Sequence, residues 1–378
     1  MPEGTASGGR PVDPIEVIKS WQMVKAAEPD EVLPALELTR KDIPVPELKE
    51  GEALVAIAGC GVCGTDIGYF YDGIPTASRP PIILGHEISG TVVAGDPLWL
   101  GREVVVPTII PCRRCELCQR GRANRCLRQK MPGNSYGVYG GFASHIPMPS
   151  RELCPVGDRK EIPLSHLAVA ADAVATPYQA AVRAQLKSGD KVIVIGVTGG
   201  LGIFMAQWAK FLGAETVVGI GRNQAKLDSS LDYGVDFAIN SSGKPSSEIR
   251  KDFFTRCRKK RIDPKYGWKI FEMTGSRQGQ ETALELLAYT GVLVVVGYGQ
   301  DIIPYHLSKL MAFDAEIRGT WGCLPEHYPY IVDRILSGDI RISSLVETRP
   351  MSAIAETFKE IKLGGGSPAK RIILVPDF

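Results

Sequence analysis

Four cysteines are crowded into fifteen residues of this chain, at Cys112, Cys115, Cys118 and Cys126. Four thiolates at this spacing can surround one Zn²⁺ tetrahedrally. Because a closed four-sulfur shell leaves no open coordination position, we expect a structural rather than a catalytic zinc here. The alternative is a set of free cysteines in a reducing cell, which is the weaker interpretation of so dense a cluster.

A second set of metal-ligating residues is dispersed along the chain. Cys63 lies within residues 61–66 (GVCGTD), and His86 lies within residues 85–87 (GHE). A catalytic zinc needs about three protein ligands and an open fourth position, and Cys63 and His86 could supply two of them. Either residue alone would more often be an ordinary structural residue. Together with the cysteine cluster and the nucleotide loop described next, they predict a catalytic zinc.

A glycine-rich loop follows the apolar run KVIVI and precedes a segment with helical spacing. Its residues are Gly196, Gly199, Gly200, Leu201 and Gly202. The spacing G-x-x-G-G-x-G is one residue longer than G-x-G-x-x-G. In a strand–loop–helix context, such glycines let the backbone approach a pyrophosphate at the helix N-terminus. The loop therefore predicts a dinucleotide site.

The end of the second strand of this unit indicates which dinucleotide binds. An acidic residue is expected there to hold the adenosine ribose, but the chain reads Gly221-Arg222-Asn223. An arginine without a carboxylate favours a 2′-phosphate and hence NADP(H). The alternative is that Arg222 is solvated and NAD(H) binds through other groups. Gly297, after the run GVLVVV, is a further candidate for contact with the cofactor.

The elements that must position these residues fall into two regions. Residues from Trp21 to about 150 contain short apolar runs punctuated by Gly and Pro, which is typical of strands. Residues 164–185 have helical spacing, and strands then alternate with helices as in a parallel sheet. We predict an α/β protein with a β-rich domain at 20–173 and 323–378, a metal lobe at 111–127 and a doubly wound Rossmann domain at 174–322. Residues 1–19, rich in Gly and Pro, are expected to form a flexible leader.

Composition excludes several classes of protein. The 378 residues carry 44 Lys and Arg against 42 Asp and Glu, a net charge of +2, which argues against a nucleic-acid binder. No run approaches the roughly 20 apolar residues of a membrane span, and the N-terminus lacks the apolar segment of a signal peptide, so we expect a cytoplasmic protein. Basic clusters at 113–130 and 250–261 could meet substrate phosphates, although a solvated face or a subunit contact is the simpler interpretation.

Together these residues resemble the zinc-dependent medium-chain alcohol dehydrogenases from about Trp21 to the C-terminus. The resemblance rests on CGTD at 63–66, GHE at 85–87, the four-cysteine lobe and the glycine-rich loop, in that order. It implies a GroES-like catalytic domain interrupted by the Rossmann domain, with a small-molecule alcohol and NAD(P) bound in the cleft between them. It also implies a homodimer or homotetramer, with residues 291–297 and the segment after them as an edge-strand interface.

Residue by residue, the resemblance makes Cys63 and His86 the first two catalytic zinc ligands and places Asp172 at the third ligand position. It makes Glu87 the acid behind the metal, which can exchange onto it. The other implied positions are a carboxylate that orients His86, a hydroxyl that contacts the reacting oxygen and a basic residue near the pyrophosphate, which are Asp66, Thr65 and Arg371.

One position departs from the family pattern. Many relatives have a histidine five residues after the catalytic cysteine, where it ends a proton relay, and this chain has Gly68. Either the relay ends at the cofactor ribose and water, or Tyr69 or another group substitutes for the histidine.

Residues 266–272 and 307–329 show a narrower resemblance, to the 6-hydroxycyclohex-1-ene-1-carbonyl-CoA dehydrogenases of anaerobic benzoyl-CoA breakdown. It implies oxidation of a cyclic hydroxy-acyl-CoA to its 6-oxo product. Those relatives are NAD-linked with an acid at the second strand, from which Gly221 and Arg222 depart. Oxidation of another secondary alcohol, or reduction of an enoyl-CoA C=C bond, stays open as an alternative. The complete set of site residues argues against a non-enzymatic nucleotide-binding protein.

Overall fold

Short strands dominate the first part of the chain. The computed structural model describes residues 15–25, 38–363 and 370–378. Up to residue 155 its helices and strands are β1 (Val17–Met23), β2 (Leu38–Pro44), β3 (Glu52–Gly61), α1 (Gly64–Tyr71), β4 (Ile82–Ile83), β5 (Glu87–Gly95), β6 (Glu103–Val106), α2 (Glu116–Gln119), β7 (His145–Pro149) and β8 (Cys154–Pro155).

The first strand corrects the expected leader of residues 1–19. β1 begins at Val17 and pairs with β2 along its whole length and with β4 at its end. The side chain of Ile18 is fully buried, so its removal from water favours an ordered strand here. Residues 1–14 lie outside the described residues.

The segment predicted as one helix is broken in two. A 3₁₀ helix covers Leu164–Ala171, and α3 (Ala175–Arg183) follows it. Between them Asp172 has φ −139° and ψ −56°, outside helical geometry. The small residues of the 3₁₀ helix pack closely against β3 and β5, and Ala168 and Ala170 are fully buried. The break separates Asp172 from both helices and leaves its side chain at the cleft.

A parallel sheet with flanking helices makes up the second unit. Its elements are β9 (Lys191–Ile195), α4 (Gly202–Phe211), β10 (Thr216–Gly221), α5 (Gln224–Ser230), β11 (Phe237–Asn240), α6 (Ser246–Lys259), β12 (Trp268–Glu272), α7 (Arg277–Leu286), β13 (Val292–Val295), α8 (Ser308–Phe313) and β14 (Glu316–Gly319). The strand order is β11-β10-β9-β12-β13-β14, and every pairing is parallel. The order reverses between β9 and β12, which is where such sheets bind ligands. β13 is covered by β14, so the edge strand is β14 and not residues 291–297 as expected.

The last elements return to the first unit. They are α9 (Tyr328–Leu336), β15 (Val346–Pro350), α10 (Ile354–Leu363) and β16 (Arg371–Val375). β16 pairs with β3 and β15, which completes a seven-stranded sheet in the order β15-β16-β3-β5-β6-β8, with β7 also on β3. The predicted α/β class, a β-rich unit with a doubly wound parallel sheet, is confirmed.

One buried cluster of apolar side chains spans both units, with Val105 and Ile373 from the first and Val192 and Phe204 from the second. This shared core fixes the cleft between them, since interiors packed at this density resist deformation. Within the described ranges, no helix combines the length and apolar character needed to cross a membrane.

Candidate active site

The Asp66 carboxylate contacts both Cys63 and His86, two of the predicted zinc ligands. Its Oδ2 accepts a 2.9 Å hydrogen bond from the backbone N–H of Cys63, and its Oδ1 accepts one of 3.1 Å from that of Gly85. The same Oδ1 lies 3.3 Å from His86 Nδ1. Asp66 is fully buried, so this carboxylate orients the imidazole and leaves Nε2 directed at the cleft.

Cys63, His86, Glu87 and Asp172 place one potential ligand atom each within 4.8 Å of one another. Asp172 Oδ2 lies 3.7 Å from both Cys63 Sγ and His86 Nε2. The imidazole is only 1% exposed, and its Nε2 has no hydrogen-bond partner among the described residues. A buried nitrogen left unsatisfied beside a thiol and a carboxylate is what a bound zinc would satisfy.

The third ligand position is held by its own helix. The hydroxyl of Thr176, in the first turn of α3, donates to Asp172 Oδ1. Burial raises the pKa of Asp172, but the hydrogen bond and charge of His86 outweigh it and lower that pKa to about 2. The residue is therefore a carboxylate ready to bind a cation.

Sequence reasoning missed two residues that brace these ligands from behind. Thr108 Oγ1 lies 2.8 Å from the carbonyl oxygen of Ala171 and 3.2 Å from that of His86. The hydroxyl of Tyr328, from α9, donates to the Ala171 carbonyl as well. These contacts join segments far apart in the chain, so no local pattern could have indicated them.

Glu87 and Arg371 form a buried ion pair beside the ligand set. Arg371 donates from Nε to Glu87 Oε2 at 3.0 Å and from Nη2 to Oε1. Burial raises the pKa of Glu87 to about 7 although the Arg371 charge opposes it. Gly61 makes room for this carboxylate, because a Cβ there would lie 2.1 Å from Glu87 Oε2. Arg371 Nη1 also lies 2.8 Å from where a Cβ of Gly200 would be, so this cation joins the metal site to the nucleotide loop.

A cleft of about 1130 Å³ runs from the metal site to the end of β10. Gly196, at φ +83°, turns the chain from β9, and Gly202 packs so closely that its Cβ would lie 2.1 Å from Gly196 O. Seven of the predicted cofactor residues line the cleft besides Arg371: Gly196, Gly199, Gly200, Leu201, Gly221, Arg222 and Gly297.

Lys226 also lines this cleft, four residues after Arg222 in the chain, and sequence reasoning missed it. Partial burial lowers the pKa of its amine. Arg222 precedes the N-cap residue Asn223, whereas Lys226 lies in the first turn of α5, so helical spacing could not have indicated that both line the cleft.

Ile74 occupies part of the space beside the position of the missing relay histidine. A Cβ at Gly68 would lie 2.7 Å from Ile74 Cδ1, so a side chain at position 68 would require the end of Ile74 to move. Tyr69, the next residue, lines the cleft, and its hydroxyl accepts a 2.5 Å hydrogen bond from Asn134. Burial raises the pKa of this phenol. Thr65 Oγ1 lies 3.6 Å from Cys63 Sγ and faces the same cleft.

The four lobe cysteines converge as well. The Sγ atom of Cys115 lies 3.5 Å from that of Cys118 and 3.7 Å from that of Cys126, and Cys112 completes the group. Tetrahedral sulfurs about 2.3 Å from a zinc ion would be about 3.8 Å apart, so the lobe fits that ion. Backbone hydrogen bonds from Cys118 and Leu127 lower the pKa of Cys115 to about 6, which favours the thiolate.

The two basic clusters differ in their relation to the cleft. In the lobe, Asn124 Nδ2 donates a 2.8 Å hydrogen bond to Trp321 O, and the Arg125 guanidinium lies 5.4 Å from the centre of the Trp321 ring. Trp321 lines the cleft. Among the described residues, no member of either basic cluster lines the cleft itself. The lobe cluster lies behind the cleft wall, which it contacts through Trp321.

Comparisons with known proteins agree with this architecture. The family described as "Alcohol dehydrogenase GroES-like domain" matches residues 49–158, and the family described as "Zinc-binding dehydrogenase" matches residues 200–337. The chain is 29% identical to an alcohol dehydrogenase of Geobacillus stearothermophilus over 90% of this chain and 96% of that one. It is 27% identical to a sorbitol dehydrogenase of Bombyx mori over 85% of this chain and 91% of that one.

Among solved structures, a zinc-binding dehydrogenase from Sinorhizobium meliloti 1021, crystallised with NADP, superposes with a TM-score of 0.82. The two sequences are 19% identical, and the match covers 96% of this chain and 100% of the other. The chain belongs to the zinc-dependent medium-chain alcohol dehydrogenase family. It is an NAD(P)-dependent oxidoreductase that acts on CH–OH groups.

Proposed function

We propose that this enzyme oxidises the ring hydroxyl of 6-hydroxycyclohex-1-ene-1-carbonyl-CoA to the 6-oxo product, with NADP⁺ as the hydride acceptor. The observation that carries the proposal is a group of apolar side chains in the cleft wall beside Cys63, His86 and Asp172, one of which, Trp321, contacts the basic lobe.

The walls of the pocket support a ring-shaped substrate. Ile74, Pro75, Ile109, Met131 and Trp321 line the cleft near the metal site. Such side chains suit a cyclohexene ring, whose burial releases water from apolar surface. Thr65, Thr108 and Asn134 line the same cleft, so its walls also offer hydrogen-bonding groups to a polar substituent of the substrate.

The lobe supports a coenzyme A ester. Arg114, Arg122, Arg125 and Arg128 are exposed there, and Arg125 stacks on Trp321 at the cleft wall. Guanidinium groups bind phosphate oxygens through paired hydrogen bonds, and coenzyme A carries three phosphate groups. A thioester with its ring in the pocket could extend its phosphates onto this face.

The proposed chemistry divides between the bound groups and the chain. A bound zinc ion would supply Lewis acidity that lowers the pKa of the substrate hydroxyl, and a bound nicotinamide would accept the hydride. Cys63, His86 and Asp172 would hold the metal, with Asp66 fixing the imidazole. The Thr65 hydroxyl accepts the substrate proton at Oγ1. The apolar walls hold the reacting carbon against the cofactor and exclude water.

The preference for NADP⁺ is supported by Arg222 and Lys226, which line the cleft where β10 ends and α5 begins. Two cations there would hold a 2′-phosphate, and its charge would compensate the partial desolvation of Lys226. The free cysteines support a reducing, cytoplasmic setting for this enzyme.

The test mixes purified enzyme with 6-hydroxycyclohex-1-ene-1-carbonyl-CoA and follows absorbance of the reduced nicotinamide, with NAD⁺ and NADP⁺ in parallel. Faster turnover with NADP⁺, and a 6-oxo product by mass spectrometry, would support both parts of the proposal. Faster turnover with NAD⁺ would contradict the cofactor preference alone. No turnover with either cofactor would remove the coenzyme A ester as the substrate.

A further inference from the structure

We propose that the Asp72 carboxylate, at the rim of the cleft, accepts the proton released by alcohol oxidation, in place of the histidine that is absent at Gly68. The proposal rests on the dehydrogenase activity and does not depend on the coenzyme A substrate. It concerns a residue that the sequence did not single out.

Three residues of helix α1 and its C-terminal end lie in a row along the cleft. Thr65, Gly68 and Asp72 are spaced three and four residues apart, so they share one face of the helix, and all three line the cleft. A Cβ at Gly68 would lie 4.0 Å from Asp72 Oδ2. The carboxylate therefore lies beside the point from which a side chain at position 68 would begin.

Contacts hold Asp72 in position through its backbone and Oδ1, while Oδ2 stays on the side of Gly68. It follows α1 directly, and its backbone N–H donates a 3.0 Å hydrogen bond to Gly68 O. Lys362 Nζ, from α10, donates to Oδ1, while Oδ2 faces Gly68. The Asp72 side chain is 44% exposed, so a proton accepted here can pass to bulk water.

The proposed proton transfer is one half of an alcohol oxidation, in which the substrate loses a proton and a hydride. The substrate O–H bond breaks as its proton moves to Thr65 Oγ1, and the proton of the Thr65 hydroxyl moves on toward Asp72. The O–H electron pair would form the C=O bond, and the C–H bond would break with both electrons leaving as hydride, which a bound nicotinamide would accept. Seven residues of helix span about 10 Å, so water in the cleft would have to carry the proton from Thr65 to Asp72. The proton on Asp72 then exchanges with solvent.

The test compares Asp72→Asn with the unchanged enzyme by rapid mixing, using the alcohol that the unchanged enzyme oxidises. Nicotinamide absorbance reports hydride transfer, and an indicator dye reports proton release separately. We expect both rates in Asp72→Asn to fall about a hundredfold at neutral pH, the lower end of what a positioned proton acceptor contributes. Added imidazole or another small buffer base should restore the rates in proportion to its concentration, and should not accelerate the unchanged enzyme.

Lys362→Met is the matched control, since it breaks the same ion pair but keeps the carboxylate. If Asp72 only anchored α10, the two variants would lose the same contact, behave alike and show no rescue by base, and the proposal would be overturned. Hydride transfer and proton release at unchanged rates in Asp72→Asn would overturn it as well. A wrong substrate assignment would show in the unchanged enzyme, before any substitution is made.

Discussion

The hydroxyl of Tyr328 donates a 2.5 Å hydrogen bond to the carbonyl of Ala171, the residue directly before Asp172. Tyr328 is fully buried at the start of α9, and burial raises the pKa of its phenol, so it stays a donor. Thr108 bonds the same carbonyl. The backbone at the third ligand position is thus held from two distant segments, at the point where the helix must break.

We therefore expect Tyr328→Phe to weaken binding at the catalytic zinc site about tenfold, as loss of a group that supports a ligand typically does. Zinc per chain, measured by elemental analysis after dialysis against graded chelator, checks this. Tyr330→Phe is the control, because Tyr330 lies on the same helix with 40% of its surface exposed. Equal zinc retention in both variants would refute the bracing of Asp172.

Replacing a proposed catalytic zinc ligand should remove the zinc of that site and leave the zinc of the lobe in place. Cys63→Ser and His86→Ala each remove one of the converging ligand atoms, so we expect turnover to be lost and zinc to fall from two ions per chain to one. The lobe cysteines do not contribute to that site and should keep their ion. Activity close to that of the unchanged enzyme in either variant would contradict the assignment of a catalytic zinc to this site.

The parts of this site that could be predicted from sequence are local in the chain. The lobe cysteines lie within fifteen residues, and the glycine loop joins β9 directly to α4, so spacing alone indicates their chemistry. Asp172 was assigned as a candidate ligand only through the family resemblance. Periodicity favoured a continuous helix there, whereas burial of the alanines against β3 and β5 and the brace from Tyr328 impose a break.

The features that the sequence did not predict depend on contacts between residues far apart in the chain. Tyr328 and Ala171 are 157 positions apart, and the pair Asp72–Lys362 is 290 apart. The two basic clusters look alike in sequence, and only the fold places one of them against Trp321. β1 includes Val17 because its pairing with β2 and the burial of Ile18 outweigh the polar composition that precedes it.

Removal of the Arg222 charge tests the cofactor preference. In Arg222→Ala we expect the KM for NADP(H) to rise roughly tenfold to hundredfold, since hydrogen bonds to charged groups contribute about 1.5–3 kcal/mol each. The KM for NAD(H), which lacks the 2′-phosphate, should change little and is the internal control. Steady-state kinetics with both cofactors measure this, and an unchanged KM for NADPH would show that Arg222 does not bind the phosphate.

The lobe surface gives a test of the coenzyme A ester. We expect Arg125→Ala to raise the KM for the thioester about fivefold, the effect of one exposed charge pair and the loss of its stacking on Trp321. Arg258→Ala, in the basic cluster on α6 away from the cleft, should leave that KM unchanged. Initial-rate measurements at several ionic strengths check both, because the contribution of an exposed arginine weakens with salt. Equal responses of the two variants would remove the lobe as a phosphate-binding face.

Exposed apolar side chains that precede the edge strand β14 in the chain predict that two copies of the chain associate there. Ile302 is 89% exposed, Leu307 73% and Met311 78%, and no strand of the described residues pairs with the outer edge of β14. An apolar patch next to an unpaired strand edge marks an interaction surface, and a second copy can continue the sheet across it. We expect Met311→Glu to yield monomers in light scattering coupled to gel filtration. Leu98→Glu, at a residue 76% exposed on the β-rich unit, should leave the oligomer intact, and dissociation by both substitutions alike would argue against this interface.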